Sequence, residues 1–239
     1  MGSYRSSIRD VARNYQFSGS FSITKNDTQC LFSSNGLPNH HFNDGSSVFP
    51  NEVSEQSHLF TVSKDPEIAS TTTALSLRSD DAVMLNGVIL DLLAAACYGI
   101  SDGRTGCGDD VQNPWRYDPM HADNNFATDT HNAHSQPDGT YHYHGDPKAL
   151  YDQDGGAASP VIGFAADGFP IFGPYINDNG SIRKAVSSYR LKSGNRQAIG
   201  TNPGGAYDGT FIQDYEYVSG LGDLDECNGM TLNGQYGYY

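Results

Sequence analysis

The sequence predicts a mainly β protein with antiparallel or sandwich-like sheets, long ordered loops and a few short helices. Three observations carry this reading. Short segments rich in β-branched and aromatic residues recur along the chain. Asn-Gly and Asp-Gly pairs, the residues that tight hairpin turns require, interrupt them. The 27 glycines and 11 prolines follow no period, as in a chain with many turns.

In order, residues 7–15 predict a short helix behind a serine cap. Strands are predicted in "SGSFSITKN" (18–26), "HLFTVSK" (58–64) and "AVMLNGVIL" (82–90), the last folding back at Asn86-Gly87. "DLLAAACYG" (91–99) reads as a helical turn. "VIGFAADGFPIFGPY" (161–175) predicts a second hairpin turning at Asp167-Gly168, and "DGTFIQDYEYV" (208–218) another alternating strand. Residues 31–57, 101–140 and 193–209 read as long loops, which are usually functional when ordered. The 239 residues can bury one substantial core. They are taken as a single domain, with residues 1–16 as a peripheral N-terminal segment.

Charge narrows the partners. With 28 acidic and 14 basic residues the net charge is −14, which disfavours nucleic acid and suits cation binding. The longest apolar run, residues 83–100, is broken by Asn86, Gly87 and Asp91, so it reads as core and no membrane insertion is expected. Cys30, Cys97, Cys107 and Cys227 form no CxxC pair, which disfavours a structural zinc knuckle. They suit two disulfides, with Cys97–Cys107 the preferred pair. The opening "MGSYRSS" lacks the apolar core of a signal peptide, as in a chain whose signal has been removed. Together with sequons at Asn26 and Asn179, this makes an extracytoplasmic, secreted setting the expectation.

Five of the eight histidines fall between residues 121 and 144, and two of them alternate with tyrosines in "DGTYHYHG" (138–145). Residues i and i+2 of a strand share a face about 6.5–7 Å apart, close enough for His142 and His144 to meet one ion. His134, brought back across the turn "SQPDG", is the nearest third ligand. Three histidines with an open position make a catalytic-type zinc or copper site. His40 or His41 is a candidate fourth ligand, and Asp129 or Asp123 a ligand or a carboxylate that fixes a ring. The opposing reading is an ordinary half-buried face with hydrogen-bonded rings. Tyr141 and Tyr143 are expected to pack in the core, although a Tyr beside a His also suits acid–base chemistry.

Two further features call for weighing. Residues 179–201 hold Arg183, Lys184, Arg190, Lys192 and Arg196 and no acid, so they read either as a solvated helix face or as an anion-binding patch centred on Arg183, Arg190 and Lys192. Residues 101–110, 152–156 and 177–180 are Asp/Asn/Gly loops with calcium-type donors, but without EF-hand spacing, and turns use the same residues. Finally, residues 128–145 echo residues 224–239: an Asp, an Asn, a short loop, then Gly-x-Tyr-x-Tyr.

"GTYHYHG", followed by "SPVIGFAADGFPIFGPY" and "LDECNG", resembles the YHYH-domain proteins, mostly bacterial and often secreted, which are named for the tetrapeptide. "SSNGLPNHHFND" and "AVMLNGV" look like that family's earlier motifs, so the resemblance runs from about residue 30 to the end. In the family a Gly-His pair precedes the tetrapeptide, and Ala133-His134 stands there. A histidine near "GLP" matches His40. The family's second copy often carries its own histidines, where this chain has Met230 and Tyr236-Gly237-Tyr238-Tyr239. The resemblance therefore implies one histidine site kept and a second one lost, and it implies architecture more than reaction.

The leading expectation is a secreted metal-binding protein acting as a metal-dependent enzyme, hydrolytic with zinc and redox with copper. The rivals are a metal-free His/Tyr enzyme on an acidic polysaccharide, and a glycan-binding surface module without turnover.

Overall fold

In the computed structural model residues 2–101 and 112–239 are described. Four antiparallel strands open the chain in sheet order: β1 (Gly2–Asp10), β2 (Tyr15–Lys25), β3 (Gln29–Ser34) and β4 (His58–Ser63). The helix predicted over 7–15 is thus replaced by β1, a turn and the start of β2. Burial explains why: Tyr4, Ser6, Ile8 and Asp10 are the more buried residues of β1, a period of two. Ile8 faces Phe17 across the ladder and belongs to the main core, so residues 2–10 are built into the fold.

Fourteen further strands follow. They are β5 (Ala82–Met84), β6 (Ile89–Leu90), β7 (Ala95–Cys97), β8 (Arg116–Tyr117), β9 (Ala133–Ser135), β10 (Tyr141–Tyr143) and β11 (Val161–Ala165). Then come β12 (Pro170–Phe172), β13 (Tyr175–Asp178), β14 (Ser181–Lys184), β15 (Tyr189–Leu191), β16 (Tyr215–Tyr217), β17 (Gly229–Leu232) and β18 (Gln235–Tyr238). Eight of them form one mixed sheet ordered β17-β18-β12-β11-β5-β6-β10-β9, and β7–β8, β13–β14 and β15–β16 are separate pairs.

Several local expectations change. Residues 91–99 contain no helical turn, because their backbone groups bond outward: Asp91 N–H donates to the Tyr143 carbonyl and Tyr98 N–H to that of Trp115. The strand predicted over 208–218 survives only as β16. Ahead of it lies a 3-10 turn (Ile212–Asp214), where the buried Asp214 carboxylate accepts the N–H groups of Gly209 and Phe211 and the Arg196 guanidinium. The basic segment is no helix face; its residues build β14 and β15. Cys30 and Cys227 are free, and Cys107, with the pairing predicted for it, lies outside the described residues. Among the described residues no helix is long and apolar enough to cross a membrane.

The eight-stranded sheet reads the same from either edge. At its centre β5 and β11 run antiparallel, with Val83 opposite Phe164, Met84 opposite Gly163 and Ala82 opposite Ala165. Each central strand turns back at a predicted pair, Asn86-Gly87 or Asp167-Gly168, where glycine supplies a φ of 82° or 96°. β6 then runs parallel to β10, and β12 parallel to β18. Outermost, β9 pairs antiparallel with β10, and β17 with β18. A pseudo-two-fold through the Val83–Phe164 pair relates the halves.

That symmetry turns the sequence echo into matched geometry. Asp129 Oδ1 accepts the N–H groups of His131 and Ala133, and Asp225 Oδ1 those of Cys227 and Gly229. The hydroxyls of Tyr141 and Tyr236 donate to the second oxygens of the same two carboxylates, each at 2.8 Å. Asn132 and Asn228 both adopt a left-handed φ, 63° and 59°. The main core, with Ile8, Leu37, Phe42, Phe49, Met84, Val88, Tyr141 and Tyr143, lies against the first copy. Each such side chain contributes about 1.5–3 kcal/mol of burial.

Candidate metal centre

Strand pleating splits the tetrapeptide into two faces. Tyr141 and Tyr143 are fully buried on one, packed in the main core, with the Tyr141 ring against Phe42 and Phe49. Tyr141 Oη donates to Asp129 Oδ2. Tyr143 Oη accepts from Asn86 Nδ2 at 2.8 Å and lies 2.7 Å from His40 Nε2. On the other face are His142 and His144, and β9 sets His134 directly across from His142.

The three imidazoles converge through their Nε2 atoms. His142 Nε2 lies 2.9 Å from His144 Nε2, which lies 3.2 Å from His134 Nε2. All three ligand atoms fall within 4.8 Å of one another. The opposite nitrogen of each ring meets a backbone carbonyl: His134 Nδ1 that of Phe126 (2.7 Å), His142 Nδ1 that of Thr140 (3.3 Å) and His144 Nδ1 that of Leu92 (2.7 Å). A carbonyl only accepts, so each Nδ1 carries the proton and each Nε2 presents a lone pair. Three lone pairs this close repel unless a cation or a proton lies among them.

A proton is disfavoured there. Burial pushes His142 well below the usual imidazole value, helped by the charges His144 and His134 would carry. Burial likewise lowers His144 to about 3 and lowers His134. Neutral imidazoles are the metal-ligating form. Tetrahedral coordination with Zn–N of about 2.05 Å sets ligand nitrogens about 3.3 Å apart, close to the two contacts seen.

Among the described residues an acidic group adjoins the cluster, one that in the sequence only interrupts an apolar run. Asp91, at the end of β6, places Oδ2 4.0 Å from His142 Nε2 and accepts from Gln136 Nε2 at 3.0 Å. Burial, with Asp80 nearby, raises its carboxyl to about 6. A lone Asp closing an apolar strand was the available signal.

Other singled-out residues lie elsewhere. His40 and Asp129 serve the tyrosine face rather than the histidine cluster, and the His131 ring packs at a tilt against His40 with ring centroids 3.9 Å apart. Arg183 chelates Asp223 with contacts of 2.6 and 2.8 Å and also holds Asp178. Arg190 pairs with Glu216, and Lys192 Nζ donates to the Gln213 carbonyl. Of the calcium-type loops, Asp152 accepts the Asp154 N–H and Asn177 the Gly180 N–H, as turns do. Most of residues 101–110 lies outside the described residues.

A family model described as YHYH protein matches residues 59–239, the span that holds both hairpins and all three converging histidines. The chain belongs to the YHYH family. The match begins after "SSNGLPNHHFND", so the motif carrying His40 lies ahead of the matched span. No curated protein and no solved structure matches the chain.

Within this YHYH chain the second hairpin has no comparable site. Register puts Met230, Gly237 and Tyr239 where the first copy has His134, His142 and His144. Tyr239 stacks on Phe172 with ring centroids 5.1 Å apart. A Cβ on Gly237 would sit 2.6 Å from Phe172 Cε2, so glycine is what this packing accepts.

Proposed function

We propose that the protein holds one divalent transition metal through Nε2 of His134, His142 and His144, and acts as a metal-dependent enzyme at the remaining position. The observation carrying this is the convergence of three Nε2 lone pairs, those of the buried His142 and His144 and the half-buried His134, each ring fixed by a carbonyl at Nδ1. Backbone carbonyls from three separate segments fix the rings, so the donor set is preorganised by the fold.

Zinc, when bound, would lower the pKa of a water to about 7 and support hydrolysis; copper in the same ligands would serve redox chemistry. The protein's own groups orient the nitrogens, keep them neutral and present the Asp91 carboxylate beside them. The metal-free alternative leans on Arg183, Arg190 and Lys192 to neutralise a substrate carboxylate, and their donors already have protein partners. The glycan-binding alternative leans on aromatic rings that stack on sugars, and the tetrapeptide's own tyrosines are buried in the core.

The test is elemental analysis of untagged protein, purified without chelator, beside a His142→Ala/His144→Ala double variant. About one equivalent of zinc or copper in the wild type and none in the variant is expected. Dividing a typical zinc affinity over its ligands assigns each about 3 kcal/mol, on the order of 100-fold per lost histidine. Equal metal content in both proteins would sink the proposal.

A further inference from the structure

The pseudo-two-fold identifies a fourth position that belongs with the three histidines. Counting five residues from each hairpin turn, Asn86 leads to Asp91 and Asp167 leads to Phe172. Phe172 fills the second copy: it stacks on Tyr239 and closes over Gly237, the counterparts of His144 and His142. The counterparts of Asp91, His142 and His144 thus share one space in that copy. In the first copy the same positions bring Asp91 Oδ2 to 4.0 Å from His142 Nε2. Where the histidines are replaced, the carboxylate is replaced with them.

Asp91 is placed beside the donor set rather than within it. Among the described residues the mutually close ligand atoms are those of the three histidines. Gln136 Nε2 donates to Asp91 Oδ2, and the Asp91 N–H is tied to the Tyr143 carbonyl on β10. The side chain is 16% exposed, so the carboxylate is held rather than free in solvent. A fixed carboxylate at that distance can accept a hydrogen bond from a ligand on the ion and repel a ligand bearing negative charge.

Building on the metal reading above, we propose that Asp91 is the ligand-positioning residue of the centre, accepting a proton-bearing ligand such as water at the open position and discriminating against anions. The substrate class follows: a neutral molecule with a polarisable oxygen is favoured over a free anion.

The test uses cobalt(II) as spectroscopic ion and azide as anionic probe, titrated on wild type, Asp91→Asn and Gln136→Leu by visible absorption. All three should take up one equivalent of cobalt. Asp91→Asn should bind azide at least about 10-fold more tightly, because a negative charge near the ion is gone. Gln136→Leu, which strips a donor from the carboxylate and keeps its charge, should bind azide no tighter than wild type. Equal azide affinity in wild type and Asp91→Asn overturns the inference. So does tightening in both variants, which would mark general loosening of the site. Loss of cobalt in Asp91→Asn also overturns it, by making Asp91 a direct ligand. Failure of the wild type to bind cobalt at all instead removes the metal reading on which the inference rests.

Discussion

Asp129→Ala is expected to cost at least about 4 kcal/mol of stability, read as a drop in urea midpoint at constant m. The carboxylate is buried and gathers four donors: the N–H groups of His131, Ala133 and Asn43, and the Tyr141 hydroxyl. Alanine leaves all four without an acceptor in a place water does not reach, and each buried orphan donor costs on the order of 1–3 kcal/mol. The symmetry supplies an internal control. Asp225 accepts the matching bonds from Cys227, Gly229 and Tyr236, but it is only half-buried. Water can replace part of what it loses, so Asp225→Ala should cost about 1–2 kcal/mol. Equal losses at the two positions would show that burial does not set the difference.

Metal affinity should be nearly flat between pH 7.5 and 6, changing by no more than a few-fold. The sign follows from the shifts. Burial lowers all three histidines below the ordinary value, His144 to about 3, so protons compete with the ion less across this range than they would at free imidazoles. For three unperturbed imidazoles of pKa about 6.5, the same acidification would protonate most of each ring and weaken binding about 50-fold. Competition against a chelator of known pH dependence measures the difference. A steep loss approaching 50-fold by pH 6 would mean that the rings are protonated in the free protein.

The sequence made the tetrapeptide's two faces legible because strand period is rigid: once residues 141–143 form a strand, Tyr141 and Tyr143 must oppose His142. The turn at "QPDG" likewise brought His134 back beside His142. Both hairpin turns were readable because a tight reversal needs a glycine's positive φ, and Gly87 and Gly168 supply it. What sequence left hidden depended on pairings between distant segments. Asp91 reaches the cluster only because β6 runs parallel to β10, a crossover with no local signature. His40 matched a family motif, but the tertiary fold delivers it to Tyr143 on the opposite face. The basic segment read as a solvated helix face or an anion-binding patch because its partners, Asp223 and Glu216, come from further along the chain. Residues 7–15 illustrate the same limit: a serine cap suits a helix locally, but pairing of Ile8 with Phe17 buries more apolar surface than an isolated turn would.

X-ray absorption at the edge of the bound metal is the most direct measurement of the central claim. Three imidazole nitrogens at about 2.0–2.1 Å, with ring multiple scattering and one further light atom, are the predicted shell. A shell of oxygen or sulfur with fewer than two imidazoles would contradict it, and would place the metal away from His134, His142 and His144.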